Sequence, residues 1–204
     1  MKKVIALLAL SVLFCMESCE EDGASGKTSS FKDTKDGKEY KTVKVGEQTW
    51  MAQNLDYHGE DGNLGSCYEK EPRNCEKYGR LYDWHEAMKA CPSGWHLPSG
   101  NEWQTLVDFA GGNEVAGKKL KAKSGWNQKG NGTNNYGFSA LPGGYGSSGG
   151  YFFNVGDYGR WWSASEDEDN SSNAYYRYMD DDDDGADWHF DSKSTLFSVR
   201  CVQD

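Results

Sequence analysis

Basic residues are scarce in this 204-residue sequence, which has 22 lysines and arginines against 32 aspartates and glutamates. The formal net charge is −10, and no basic stripe interrupts the acidic surplus. Nucleic acids and anionic lipid headgroups are polyanions, and an acidic chain repels them. We therefore expect neither nucleic acid nor an anionic headgroup as a ligand.

The sequence also lacks short motifs that mark common catalytic and metal sites. It contains no HExxH or P-loop pattern. It has no CxxC or HxxxH spacing, and its 4 histidines are scattered, which argues against a zinc site. Carboxylate pairs occur throughout so acidic a chain, so they do not indicate a glycosidase. We predict that the protein is not an enzyme.

No apolar run in the sequence is long enough to span a bilayer. The longest, residues 4–16, follows Lys2 and Lys3 and is typical of a secretion signal. A buried N-terminal helix is the alternative, but the run lacks a polar face. Ser18 before Cys19 fits a lipoprotein cleavage site, although Glu17 is unusual there. We predict a signal peptide at 1–18 and lipidation of Cys19, with ordinary signal-peptidase cleavage as the other option.

The segment after the predicted cleavage is small, polar and acidic. Residues 19–30 are therefore typical of a flexible tether. The acidic residues after Cys19 resemble the sorting signal that sends some bacterial lipoproteins to the outer cell surface. We predict one domain at 31–204, held in the cell envelope by an N-terminal lipid anchor, at the outer membrane or cell surface.

Four cysteines remain once the signal is removed and Cys19 is lipidated. An even set in an oxidising compartment indicates disulfides. Three pairings are open. We favour a local bridge Cys67–Cys75 and a long-range bridge Cys91–Cys201.

The rest of the sequence predicts short strands, two helices and glycine-rich loops. Apolar–polar alternation indicates strands, and apolar residues spaced by three and four indicate helices. The second helix begins with a capping-box pattern, Ser99 with Glu102. The predicted strands are 40–45, 48–52, 138–141, 160–164, 174–179 and 195–202, and the predicted helices are 81–91 and 99–110.

Five stretches of the chain resemble the bacterial domain called the Fibrobacter succinogenes major paralogous domain. They are KDGKEYKTVKVGEQTWMAQNL, CEKYGRLYDWHEAMKACPSGWHLPSGNEWQTLVDFAGG, GFSALPGGY, WWSASE and FSVRCV. Their order matches that family, and together they cover roughly residues 31–204. The resemblance implies a secreted or surface domain, related to the C-type lectins and present in many copies in some genomes.

The resemblance implies an α+β, C-type-lectin-like fold with two helices, small antiparallel sheets and long ordered loops. In C-type lectins the first helix ends in a cysteine that pairs with one on the last strand, as Cys91 and Cys201 would here. The stretch HLPSGNEWQTL also resembles the sulfatase-modifying branch of that fold, which oxidises a cysteine to formylglycine. Such enzymes look to need a reactive cysteine pair near the C-terminal end of the active cleft, where this chain has only Cys201.

Two acidic stretches, residues 166–170 and 180–184, supply the oxygen ligands that Ca²⁺ prefers. However, the sugar-site tripeptides of calcium-dependent lectins are absent, and successive side chains of an extended chain point apart. A solvated acidic loop is the simpler interpretation. The alternative is a weak calcium site at Asp180, Asp182 and Asp184, and no other cofactor is expected.

Aromatic residues crowd the last third of the chain. Strand alternation predicts that Tyr176 and Tyr178 share one face, opposite Tyr175 and Arg177. In C-type-lectin-like proteins diversified by retroelements, the variable residues lie just before a final strand similar to FSVRCV. That resemblance implies a ligand-binding face made of Tyr176, Tyr178, Asp180, Asp182, Asp184, Asp187, Trp188 and His189. The competing interpretation is that nearly all these aromatic side chains belong to the core.

These features favour a cell-surface lipoprotein that acts as a binding module for carbohydrate or for a protein on a cell surface. The first alternative is a structural or interaction subunit of a cell-envelope complex. The second is a relative of the formylglycine-generating oxidases.

Overall fold

The computed structural model describes residues 27–204 as an α+β structure. The predicted signal peptide, Cys19 and most of the predicted tether lie outside the described residues. Within 27–204, no helix is both long and apolar enough to cross a membrane. The strands are β1 Thr28–Lys32, β2 Glu39–Val45, β3 Gln48–Met51, β4 Leu81–Tyr82, β5 Trp95–His96, β6 Tyr145–Gly146, β7 Phe152–Phe153, β8 Tyr158–Glu166, β9 Asn173–Asp180, β10 Asp187–Ser192, β11 Phe197–Ser198 and β12 Val202–Gln203. The helices are α1 Pro72–Tyr78, α2 Trp84–Ala90, α3 Gly100–Phe109 and α4 Asn113–Leu120, with a short 3₁₀ helix at Tyr68–Lys70.

The first sheet has the strand order β1-β2-β3-β12-β5, and all its pairings are antiparallel. The predicted β2–β3 hairpin is confirmed, and its turn at Gly46 uses a positive φ of 60°. Strand β1 was not predicted, and it begins at Thr28, inside the expected tether. It lacks an alternating apolar pattern because it is an exposed edge strand held by backbone pairing to β2.

The second sheet has the strand order β10-β9-β8-β11-β4. The predicted strands that became β8 and β9 are confirmed, whereas β10 was missed because four of its six residues are exposed and the other two are aspartates. All its pairings are antiparallel except that of β11 with β8. Strands β6 and β7 form a separate hairpin, and the strand predicted at 138–141 is reduced to a single bridge at Ala140.

The single strand predicted at 195–202 is instead divided between the two sheets. Strand β11 joins the second sheet, and β12 joins the first. Between them lies Arg200, which is fully buried. Its Nε and Nη2 atoms donate to Asn54 Oδ1 at 3.0 and 2.6 Å, and Nη1 donates to the Phe138 carbonyl. Because a buried guanidinium needs these acceptors, the chain leaves one sheet here before entering the next.

Residues 27–204 contain four α-helices where two were expected. The predicted capping box of α3 is confirmed: Ser99 Oγ accepts from the Glu102 amide, and the Glu102 carboxylate accepts from the Ser99 amide. The helix predicted at 81–91 starts later, at Trp84, because residues 81–82 pair as β4. The missed helix α4 contains Gly117, where a Cβ would overlap the Gly185 carbonyl oxygen. Gly117 made this helix hard to predict from the sequence. Its missing side chain allows α4 to pack against the loop that contains Asp184 and Gly185.

Both favoured disulfides are present. Cys67–Cys75 joins the 3₁₀ helix to α1, and Cys91–Cys201 joins the end of α2 to the segment between β11 and β12. Their sequence separations are 8 and 110 residues. The long bridge therefore connects the helical part of the chain to the point where the two sheets meet.

Two hydrophobic cores lie on opposite faces of β8 and β9. Neighbouring residues Trp161 and Trp162 are both fully buried but belong to different cores. Trp103 of α3 packs in the first core with Trp161, and Trp84 of α2 packs in the second with Trp162. Strand alternation thus places α2 and α3 against different faces of one sheet.

The two disulfides are expected to contribute unequally to stability. In the chain-entropy model, opening the 110-residue loop costs about 4–5 kcal/mol and opening the 8-residue loop about 2.5 kcal/mol. Chemical denaturation of the Cys91→Ser/Cys201→Ser and Cys67→Ser/Cys75→Ser double variants measures both losses. Equal losses, or a larger loss for the short loop, would contradict this expectation.

Candidate functional site

The outer part of the second sheet presents two chemically different faces. In the register of β9 with β10, Arg177 lies opposite Trp188, and Tyr175 lies opposite Phe190. Directly paired residues project to the same side of a sheet, as do residues two apart. These four side chains therefore share one face, which we call the cleft face.

A cleft of about 420 Å³ lies on this face, between the start of α3 and strands β9 and β10. Its walls combine aromatic rings with amide and carboxylate groups. The residues used in the arguments below are Asn101, Gln104, Glu166, Glu168, Tyr175 and Trp188.

The aromatic side of the cleft is unusually exposed. Trp188 is 53% exposed and Phe190 is 43% exposed. Tyr175 packs edge-on between them, with ring centroids 5.3 Å from Trp188 and 6.4 Å from Phe190. This packing fixes the orientation of the indole while leaving much of its surface free. Such a ring is suited to stack on a flat apolar surface of a ligand.

Arg177 forms the floor of the cleft and is only 3% exposed. Its Nη1 donates to the Ala186 carbonyl and its Nη2 to Gln104 Oε1, both at 3.1 Å. Burial lowers the pKa of Arg177 to about 10, so the group stays charged near neutral pH. Because the arginine occupies Gln104 Oε1, the Gln104 side chain is held in place at the base of the cleft.

The helix start on the other side of the cleft is fixed by a chain of polar contacts. Gly100 N donates to Ser165 Oγ at 3.0 Å, which ties α3 to the end of β8. Glu102, the second residue of the capping box, also contacts His96 Nε2 at 2.7 Å. His96 Nδ1 in turn contacts Asp204 Oδ1 at 2.6 Å. The position of Asn101 therefore depends on a network that reaches the C-terminal residue.

The residues predicted for the binding face do not form one site. Trp188 lines the cleft, and Tyr176 borders it, although its ring is buried against Phe197 on the opposite side. Tyr178, Asp187 and His189 lie on that opposite face, by the same register. The physical reason is alternation: a segment that forms two paired strands sends neighbouring residues to different sides.

Several cleft residues were missed by sequence reasoning. Asn101 and Gln104 lie on α3, about seventy positions before the aromatic cluster, and only tertiary packing brings them to it. Glu166 and Glu168 were considered only as part of an acidic stretch. Tyr175 could have been found, since alternation already placed it opposite Tyr176.

A protein-family model described as the Fibrobacter succinogenes major domain matches residues 43–203 of the chain. The chain belongs to this family. The resemblance carried by the five sequence stretches is thereby confirmed. No curated protein and no solved structure was found to be similar to the chain.

The acidic loop of this major domain, residues 180–184, is folded around a lysine. Lys121, at the end of α4, is 0% exposed. Its Nζ donates to the carbonyl oxygens of Asp180 and Asp183 at 2.8 and 2.6 Å. Burial lowers the pKa of Lys121, whereas the neighbouring Asp184 and Asp180 charges act in the opposite direction. The ammonium thus supplies a positive charge at the centre of the loop.

The side chains suggested for calcium are engaged elsewhere or face solvent. Asp180 Oδ1 accepts from the Asp183 amide, Asp184 lies 3.5 Å from Lys118 Nζ, and Asp182 is exposed. Across residues 27–204, no group of three or more His, Cys, Asp or Glu side chains is arranged to hold a metal ion. Asp180, Asp182 and Asp184 therefore form no ready-made calcium site.

Removing the buried ammonium is expected to destabilise the domain. Lys121→Met keeps most of the length of the side chain but leaves the part-buried carbonyl oxygens of Asp180 and Asp183 without this donor, which costs about 2–3 kcal/mol. The matched control is Lys118→Met, whose partly exposed ion pair contributes less than about 1 kcal/mol. Urea denaturation of both variants gives the two losses, and a Lys121→Met loss no larger than that of Lys118→Met would show that the loop does not need its central lysine.

His96 is expected to make stability depend on pH. Burial lowers the pKa of His96, but the hydrogen bonds that its ring donates to Asp204 and Glu102 outweigh burial and raise the pKa above the ordinary value of 6.5. This contribution is fully present below pH 6.5 and is lost as pH rises through the raised pKa of the folded state.

Thermal unfolding of the wild type and of His96→Gln measures this effect. The melting temperature of the variant should lie furthest below that of the wild type at about pH 5.5, with the gap closing towards about pH 9. A gap that is constant, or that widens with pH, would contradict the assigned role of His96.

Proposed function

We propose that this protein is a cell-surface lipoprotein binding module that recognises carbohydrate through the cleft next to Trp188. The single observation that carries the proposal is the exposed, edge-packed indole of Trp188 beside a polar cleft. Neighbouring exposed aromatic rings, such as those of Trp188 and Phe190 on either side of Tyr175, form the kind of apolar patch that often marks a ligand surface.

The chemistry of the cleft suits a neutral sugar. The indole can stack on the apolar C–H face of a pyranose ring, and the Asn101 amide can donate to and accept from hydroxyl groups, whereas Gln104 is already engaged in hydrogen bonds within the protein. The Glu168 carboxylate can accept hydrogen bonds from hydroxyls and repels anionic ligands, whereas Glu166 is paired with Lys193. A volume of about 420 Å³ lies in the lower part of the range of small-molecule sites and fits one or two sugar units.

A C-type-lectin-like fold is part of the same proposal. Its support is the order of the elements: α2 ends at a cysteine, α3 follows after the short strand β5, and the partner cysteine lies beside the last strand. Strands near the two ends of the described chain, β3 and β12, also pair directly. We place the module in the cell envelope because of the predicted signal peptide and lipidated Cys19.

The oxidase alternative receives less support from the cysteines. Cys201 is bonded to Cys91 and is fully buried. A cysteine whose sulfur is bonded in a buried disulfide is unsuited to redox chemistry on a substrate. The binding proposal does not require any cysteine to react.

Trp188→Ala should weaken carbohydrate binding at least about tenfold, since one stacked aromatic ring contributes about 1.4 kcal/mol. The probes are neutral gluco-, xylo-, manno- and chito-oligosaccharides, first screened on an array with the purified protein and then titrated by calorimetry. The control is Tyr151→Ala, which removes a 70% exposed ring just before β7, outside the residues that line the cleft. The proposal fails if no probe binds, or if the two variants bind a probe equally well.

A further inference from the structure

We infer that the opposite face of the same sheet carries a second ligand site, in which Arg160 binds the carboxylate of an acidic sugar. The site goes beyond the neutral-sugar cleft and does not depend on it. It is formed by β8, β9 and the β6–β7 hairpin, and we call it the arginine face.

Arg160 is surrounded by aromatic rings. Its guanidinium carbon lies 4.1 Å from the ring centroid of Tyr145 and 5.1 Å from that of Tyr158. The rings of Tyr176 and Phe197 follow at 5.5 and 5.7 Å. These cation–π contacts hold the guanidinium in one place. The rings supply no hydrogen-bond acceptor for its N–H groups.

The hydrogen bonding of Arg160 differs from that of Arg80, Arg177 and Arg200, the other described arginines that are not exposed. Arg177 and Arg200 donate to carbonyl and amide oxygens from their terminal nitrogens, and Arg80 pairs with Asp56 at 3.2 Å. In residues 27–204, no hydrogen bond or ion pair is formed by Arg160, and its buried Nε has no partner. An arginine presents five donors in a fork that fits a carboxylate with two parallel bonds.

The absence of a carboxylate beside Arg160 is notable in so acidic a chain. The sequence has 32 acidic residues and a net charge of −10. Even so, no Asp or Glu among the described residues lies within ion-pair distance of Arg160, while five other basic residues have such partners: Lys38, Lys44, Arg80, Lys118 and Lys193. A cation that stays both half-buried and unpaired is available for an external carboxylate.

The surroundings of Arg160 indicate a ring-shaped ligand. Tyr145, Tyr158 and Tyr178 are half-buried, and their hydroxyl groups form no hydrogen bond with the described part of the chain. Tyr178 lies directly opposite Arg160 in the strand register. Aromatic faces with free hydroxyls beside a guanidinium can contact the ring, the hydroxyls and the carboxylate of a uronic acid together. The same face also carries Asp187 and Asp180, so attraction of a carboxylate to it depends on the guanidinium of Arg160.

Calorimetric titration of the purified protein with tetragalacturonate tests this site. The wild type should bind tetragalacturonate at low ionic strength. The control ligand, methyl-esterified tetragalacturonate, should bind the wild type at least about tenfold more weakly, because the ester cannot form the charge-assisted pair. Arg160→Gln should lose at least about tenfold in affinity. Arg160→Lys keeps the charge but loses the fork, and it should fall between wild type and Arg160→Gln.

Two further variants separate this site from the cleft and from general electrostatics. Arg73→Gln removes an exposed positive charge on α1, and Trp188→Ala removes the cleft indole; both should bind tetragalacturonate like the wild type. Circular dichroism confirms folding of each variant, and Arg160→Lys decides the matter if Arg160→Gln does not fold. The inference is wrong if the wild type does not bind, if the ester binds equally, or if Arg160→Lys retains full affinity. If only Trp188→Ala lost affinity for tetragalacturonate, uronate binding would belong to the cleft, and the inference would again be wrong.

Discussion

The segment at residues 197–203 is the constraint on which the rest of the structure depends. It supplies β11 to one sheet and β12 to the other, and Cys201 between them is bonded to the end of α2. Arg200 is buried at the same point, where Asn54 Oδ1 accepts from it and from Trp161 Nε1 at 2.9 Å. A buried charge without a carboxylate is tolerated only with full hydrogen bonding, so this junction admits one arrangement of the two sheets.

This junction fixes the position of β8, and β8 in turn determines the two proposed binding surfaces. Trp161 and Trp162 enter different cores, so the strand has a buried anchor on each side. Its neighbour β9, together with β10 beyond it, then presents Tyr175, Arg177 and Trp188 to one side and Tyr178 and His189 to the other. This alternation gives the two faces different charged side chains. The proposed neutral-sugar cleft and the proposed acidic-sugar site follow from that difference.

Features governed by local rules were predictable from the sequence. The β2–β3 hairpin follows from alternation around Gly46, and the start of α3 follows from Ser99 and Glu102. Features that depend on distant partners were not predictable. Helix α4 looks polar and contains Gly117, yet it forms because the acidic loop packs on it and Lys121 binds two carbonyls of that loop. Pro72 at the first turn of α1 was a local signal that was overlooked.

The sequence alone determined the family and the strands and helices with strong periodicity, since these depend on residue types at short or characteristic spacings, and it favoured the cysteine pairs that the structure shows. Only the tertiary structure decided which side chains share a surface. Asn101 and Gln104 reach Trp188 across a gap in sequence that no local pattern encodes, and the register of β9 with β10 separates Trp188 from Tyr178. The physical reason is that register and helix packing are set by burial of the two cores, which involves residues from the whole chain.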